Sequence, residues 1–197
     1  MTARSGELED LLFDVRRSAR YHDCRVAHFQ MLQRMTNVST ILLSGVVIMD
    51  LFGAEIIRPI KIVAALTAVF GAFDLVIGFG KCADVHRDLK RRFLALERKS
   101  LGLTGESPQR GTLERLEIEA EEPPAYRALD TMCHNQMLLS QRLPDQELAA
   151  NLRSLPWYVE LTANWFKWNN IAAVVDQKRR RLEVRIEKMK AKSARKA

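Results

Sequence analysis

Asn37-Val-Ser-Thr-Ile-Leu-Leu-Ser-Gly-Val-Val-Ile-Met49, followed by Asp50 and Leu51-Phe-Gly-Ala54, opens the stretch whose reading decides the fold. After Glu55 and the break Arg58-Pro59-Ile60-Lys61, a second apolar run extends from Ile62 to Gly80. The first run, Val38 to Ile57, carries two ionisable side chains, Asp50 and Glu55, and the second carries only Asp74. Each is roughly 20 residues long, the length a helix needs to cross a hydrocarbon core of about 30 Å. The polar break lets the chain reverse, so residues 37–80 are predicted to form a transmembrane helical hairpin. The competing reading is a buried helix pair in a soluble bundle. Neither run has a polar face at 3.6-residue spacing, and a helix apolar all round belongs in lipid or in a large core. A chain of 197 residues with 28% charged side chains is poorly suited to surround two such helices. The apolar run also starts too late for a secretory signal peptide, and no small-residue cleavage site follows a short apolar core.

The overall hydrophobic fraction of 47% conceals a division between this stretch and highly charged flanks. Net charge is +7, which in a membrane protein is first an orientation signal. Arg16, Arg17, Arg20, Arg25 and Arg34 precede the first run, and Lys81, Arg87, Lys90, Arg91, Arg92, Arg98 and Lys99 follow the second. The turn holds only Arg58 and Lys61. Both termini are therefore expected in the cytoplasm with the turn outside. Cys24, Cys82 and Cys133 are scattered and odd in number, which suggests reduced thiols rather than a disulfide framework or a zinc site.

The flanks read as all-α. Residues 1–36 form an N-terminal amphipathic segment, frayed over 1–5. From Gly6 onward Leu8, Leu11, Leu12, Val15, Ala19, His22, Val26 and Phe29 make one stripe at helical spacing. No proline or glycine lies between Glu7 and Ile41, so this helix is expected to run into the first span. Residues 81–143 comprise a second stalk helix, with Cys82, Val85, Leu89, Phe93 and Leu96 as its stripe, then a glycine-rich loop over 101–112 and the acidic segment 113–122. Strand and helix compete in that acidic segment, with helix preferred. Pro123 and Pro124 are expected to stop it and to open a helix bearing Tyr126, Leu129, Met132, Cys133, Met137 and Leu138. Residues 144–197 hold further helices. One begins near Asp145, and another is capped by Ser154 with Pro156 in its first turn. The aromatic segment 155–175 is expected to dock on the stalk or lie at headgroup level, and a polybasic tail follows.

Asp50 and Asp74 are the candidate pore-lining residues, because a carboxylate inside a span is costly and usually faces a bundle interior or a water-filled path. The bland alternative places Asp50 at the outer headgroups and Asp74 hydrogen-bonded between helices. Gly45, Gly71 and Gly78 are candidate helix-packing positions, since small residues let backbones approach in lipid. Lys178, Arg179, Arg180 and Arg181 are candidates for contact with anionic lipid or nucleic acid, against a merely solvated helix. His22, His28, His86 and His134 are expected on separate helical segments, and His22, within a stripe, as a hydrogen-bonded interface residue. No HExxH, nucleophile elbow or Walker loop occurs, and Gly78-Phe79-Gly80-Lys81 lacks the spacing of a phosphate loop. No catalytic residue, cofactor or metal is expected.

Several pieces resemble the SLATT family of two-span effector domains from bacterial conflict systems. They are Arg17-Ser18-Ala19-Arg20-Tyr21-His22 with Arg25, the two closely spaced spans, Val85-His86-Arg87-Asp88-Leu89 to Leu96-Glu97-Arg98, and Tyr126-Arg127-Ala128-Leu129-Asp130 to Cys133-His134-Asn135-Gln136. The resemblance covers about residues 7 to 143 and rests on architecture more than on any one residue. It singles out Arg17, Arg20, His22, Arg25, His86 and Asn135 as motif positions. It implies a homo-oligomer in the inner membrane that forms or opens a pore on a signal, disrupting membrane integrity in antiviral defence. A separate sensor, signalling protein or second messenger would supply the trigger. The alternative is a non-conducting, membrane-anchored scaffold whose basic cytoplasmic surface binds a partner, nucleic acid or anionic lipid. A superinfection-exclusion protein shares the same topology.

Overall fold

Freedom from proline, and from glycine except near its two ends, lets the first fifty residues form one helix. In the computed structural model α1 spans Thr2–Leu51 (50 residues), about 75 Å at 1.5 Å per residue. The structure describes residues 2–51, 59–102, 108–141, 144, 147–148 and 151–169. Every element among them is a helix. α2 spans Pro59–Ile77, α3 Phe79–Gly102, α4 Pro108–Ala120, α5 Arg127–Ser140, and a six-residue α6 spans Trp157–Thr162. Pro59 opens α2 in the position where its fixed φ and missing N–H cost nothing.

α1 lies along α2 and, further down, along α3. Its lower half buries Leu11, Val15 and Ala19 against Leu89, Phe93 and Leu96 of α3 and Ile118 of α4. Its next turns bury Tyr21 in a second cluster with Ala128, Leu129 and Cys133 of α5 and Leu155, Val159 and Ala163 around α6. Ion pairs then fix the register: Arg16 with Glu97 at 2.6 Å, Lys90 with Asp23 at 2.6 Å, Arg92 with Glu121 at 2.5 Å and Lys99 with Glu114 at 2.5 Å. Arg115 of α4 also pairs with Asp14 of α1. Each exposed pair is worth at most about 1 kcal/mol, so their role is complementarity. The acidic segment 113–122 is helical through Ala120 and lays Glu114 and Glu121 against Lys99 and Arg92 of α3.

Above this base the burial pattern inverts. Ile41 and Leu42 are 70% and 65% exposed, and Leu75 and Val76 are 87% and 82% exposed. Soluble chains rarely leave so continuous an apolar surface uncovered. One helical stretch among the described residues is long and apolar enough to cross a membrane. It is Ala65–Leu101, which runs from α2 into α3 and has an 18-residue window of mean hydropathy 1.5, none of it buried. That stretch overlaps the second apolar run, and among the described residues the first run is not a second candidate, so the two-span hairpin is borne out only in part. The first run is described only to Leu51, and residues 52–58, with Glu55, Ile57 and Arg58, lie outside the described residues.

α2 and α3 are separated by a bend at Gly78, whose φ is +63°. The Gly78 N–H still reaches the Asp74 carbonyl at 2.8 Å, and the Cys82 N–H reaches the Gly78 carbonyl at 3.0 Å. The chain therefore turns without leaving those groups unpaired. Left-handed backbone is cheap for glycine, tolerable for asparagine and costly for a β-branched residue. Thermal midpoints followed by circular dichroism should fall in the order Gly78, Gly78→Asn, Gly78→Ala, Gly78→Val, the last losing about 1–3 kcal/mol. Four equal midpoints would contradict the bend.

Several sequence expectations need correction. Helix begins at Thr2, so residues 2–5 are not a frayed lead. The loop expected over 101–112 is shorter, because α3 continues to Gly102 and α4 begins at Pro108. Pro123 and Pro124 end α4 but do not open α5, which starts three residues later at Arg127 with extended Tyr126 as its cap. The cap position of α6 is held by extended Pro156 and not by Ser154. The helix expected near Asp145 falls partly on residues outside the described set, as do residues 170–197 with the basic tail.

Candidate functional site

Where the two buried clusters meet, α1 carries two polar residues into the interior. His22 is fully buried and Arg25 is 4% exposed. The Nδ1 of His22 lies 2.9 Å from the Nδ1 of His86 on α3, and its Nε2 lies 3.1 Å from Oε1 of Glu122, just past the end of α4. The hydrogen bonds assign the protons. If Nε2–H of His22 donates to the Glu122 carboxylate, its Nδ1 carries a lone pair and accepts from Nδ1–H of His86. Three helical regions are thereby tied by one buried chain of hydrogen bonds. Rings close over it: Phe93 stacks on His22 at 5.6 Å, Phe29 stacks on His86 at 5.7 Å, and Tyr21 meets the His22 ring edge-on at 5.3 Å.

Arg25 lies one helical turn above His22. Its guanidinium sits 4.0 Å from the Tyr126 ring centroid and 4.5 Å from that of Phe29. Its Nη1 donates to the backbone carbonyl of Asn164 at 2.7 Å. The Tyr126 N–H in turn donates to the Tyr21 hydroxyl at 3.0 Å. A cavity of about 320 Å³ opens beside these groups.

Burial of the His86 ring, the neighbouring His22 and the Arg25 guanidinium together push its pKa down to about 4. The folded chain thus holds His86 neutral where the unfolded chain, near its ordinary 6.5, is protonated. Between about pH 6.5 and 4 the unfolded state binds the extra proton, so stability falls as pH falls and levels off below about 4. We expect a loss of roughly 2 kcal/mol across this window after allowing for solvent screening on the cavity side. His28 and His134 are also held low by burial and add in the same direction. The check is therefore the difference between wild type and His86→Asn in denaturant unfolding at pH 7 and pH 4.5. An unchanged pH slope in the variant would remove His86 from the account.

Of the six motif positions, the fold brings His22, Arg25 and His86 together and uses the others as nearby fastenings. Arg17 pairs with Asp130 of α5 at 3.4 Å, and Nε of Arg20 donates to Gln136 of α5 at 3.2 Å. Asn135 clamps the segment before α6, donating to the Arg153 carbonyl at 2.7 Å and accepting from its N–H at 3.0 Å. The histidines do not sit on four separate segments, because His22 and His28 share α1. His22 is hydrogen-bonded at a helix interface. Nor are the thiols all apart: Cys24 and Cys133 pack together between α1 and α5. A hydrogen bond from Cys133 lowers the Cys24 thiol to about 7, and the same contact with burial raises that of Cys133.

The hairpin candidates are placed as follows. Asp74 is half-buried one turn before the Gly78 bend. Asp50 lies in the last turn of α1, and its side chain is outside the description. At Gly45 and Gly71 an added Cβ meets nothing within 4 Å among the described residues, so neither is a close-contact point there. Gly78 acts through its backbone conformation. Lys178, Arg179, Arg180 and Arg181 lie outside the described residues.

Sequence reasoning missed Glu122, Phe93 as a lid on His22, and the Tyr126–Arg25–Phe29 stack. Both ring nitrogens of His22 are engaged within the trio. Among the described residues no group of three or more His, Cys, Asp or Glu side chains is placed to hold a metal ion. The arrangement is a buried polar clasp that binds helices and responds to protons. No family model matches the chain, and neither a curated protein nor a solved structure does.

Proposed function

We propose that the chain is a non-catalytic, membrane-embedded, homo-oligomeric effector of the SLATT type. Its hairpin forms or gates a pore, and its helical base holds the closed state until a partner or second messenger rearranges it. The observation that carries this reading is the inversion of burial along the same two helices. Below Gly80 the facing stripes, Leu11, Val15 and Ala19 with Leu89, Phe93 and Leu96, are buried, and His22, His86 and Glu122 clasp them. Above it they face outward. An outward apolar surface suits lipid or sister protomers, and a polar clasp at its foot suits a device that must open and close. The charge asymmetry of the flanks supports an arrangement with both termini in the cytoplasm and the turn outside the inner membrane. Exposed Trp157, Leu161, Trp165 and Phe166 around α6 are of the type favoured at headgroup level.

In this reading Asp74 of each protomer contributes to a ring of carboxylates along a cation path. Purified chain in planar bilayers should pass cations in preference to anions. Asp74→Asn should lower that preference by about fivefold or more without abolishing insertion. Currents with identical selectivity in the two proteins would remove Asp74 from the path. Bilayers that stay silent while the protein is inserted would favour the scaffold reading.

A further inference from the structure

Arg25 is buried without a counter-charge among the described residues. Elsewhere in this chain partly buried arginines meet carboxylates, as Arg17 meets Asp130 and Arg115 meets Asp14. Arg25, at 4% exposure, gives one hydrogen bond to a backbone carbonyl and has both faces covered by rings. Its Nε has no hydrogen-bond partner among the described residues. A desolvated guanidinium is strongly favoured by an anion on its N–H edge, the geometry that receives a carboxylate or phosphate side-on.

Arg25 also lines the 320 Å³ cavity, and the rest of the lining fits that need. Lys167 adds a second cation at the rim, and among the described residues no carboxylate lines the space. The walls are otherwise aromatic and proline surface: Tyr21, Tyr126, Pro123 and Pro124. His86 forms part of one wall with its Nδ1 already committed to His22. The volume lies at the small end of ligand cavities, which begin at about 300 Å³. It suits one or two fused rings.

We propose that this cavity is a binding site for a small organic anion, a phosphate or carboxylate carried on a flat apolar ring. The anionic group sits against the Arg25 guanidinium with Lys167 beside it, and the ring lies against the tyrosine and proline walls. Occupancy would add a ligand to the junction of α1, α3 and the α4–α5 connection, directly against the clasp. The inference concerns binding alone and stands apart from whether the hairpin conducts.

The test uses the full chain in an uncharged detergent and isothermal titration calorimetry with 2-naphthyl phosphate as probe. Saturable binding at one probe per chain is expected, with 2-naphthol and inorganic phosphate each at least about tenfold weaker. Arg25→Lys should weaken binding by about tenfold, because the side-on geometry is lost while the charge remains. Two variants at exposed positions protect the test from misfolding. Lys167→Gln should weaken binding about threefold or more. Val85→Trp, which fills the cavity from a half-exposed position, should abolish it while helicity and melting midpoint stay unchanged. The proposal is overturned by absence of saturable binding up to millimolar probe, by equal binding of 2-naphthol, or by undiminished binding to Val85→Trp. It is also overturned if a short-chain phosphatidylglycerol binds and the naphthyl probe does not, which would make the cavity a lipid headgroup site.

Discussion

Replacing His22 with alanine is expected to lower the stability of the helical base by about 3–5 kcal/mol. The reason lies in what the substitution strands. His22 is fully buried, and each of its ring nitrogens meets a partner on a different helical region. Alanine leaves the His86 Nδ1 and the Glu122 carboxylate without that partner, and an unsatisfied buried polar group costs about 1–3 kcal/mol. The lost ring adds a cavity beneath Phe93. For a chain of this size the thermal midpoint should fall by roughly 10 °C, at about 2–4 °C per kcal/mol. His22→Gln keeps a donor for Glu122 and should recover part of the loss. A His22→Ala midpoint within a degree or two of wild type would mean that the clasp contributes nothing to holding the helices together.

Phe93→Ala should cost a similar amount, about 3–5 kcal/mol, by a different route. Its ring is fully buried in the α1–α3–α4 cluster among Leu11, Val15, Leu96 and Ile118. Two packed helices and a third resting on them cannot collapse fully into the space left by a benzyl group. The two substitutions should not add. His22 and Phe93 stack on each other with an interplanar angle of 17°, so the double variant loses that contact only once. The combined loss should fall short of the sum by about 1 kcal/mol. Strict additivity in equilibrium unfolding would show that the histidine is held by its hydrogen bonds alone.

The helical architecture was legible because its signals are local. Leu11, Val15, Ala19 and His22 recur at helical spacing, and all four are buried on one side of α1. The apolar character of Ile41 or Leu75 is equally plain in the chain, and both are exposed. The clasp was only half legible. A histidine within an apolar stripe announces an interface, but not which residue it meets. Its partners lie 64 and 100 positions away, and Glu122 is one acid among several in a run with no feature to mark it. Gly78 was taken for a packing glycine because small residues between apolar ones read alike. What separates a close contact from a left-handed turn is a backbone angle, which residue type does not encode. The cap of α6 failed for the related reason that Pro156 itself, extended, holds the position Ser154 was expected to take. Arg25 looked like one of many orienting cations, and only tertiary packing distinguishes it as the one between two rings.

The central claim is that this chain, placed in a bacterial inner membrane, opens it. The most direct measurement is membrane potential and uptake of a membrane-impermeant dye in cells induced to express the full chain, followed together with growth. Depolarisation and dye entry that precede growth arrest, and that are reduced in Asp74→Asn at equal membrane abundance, are the predicted result. Growth arrest with potential and dye exclusion intact would contradict it.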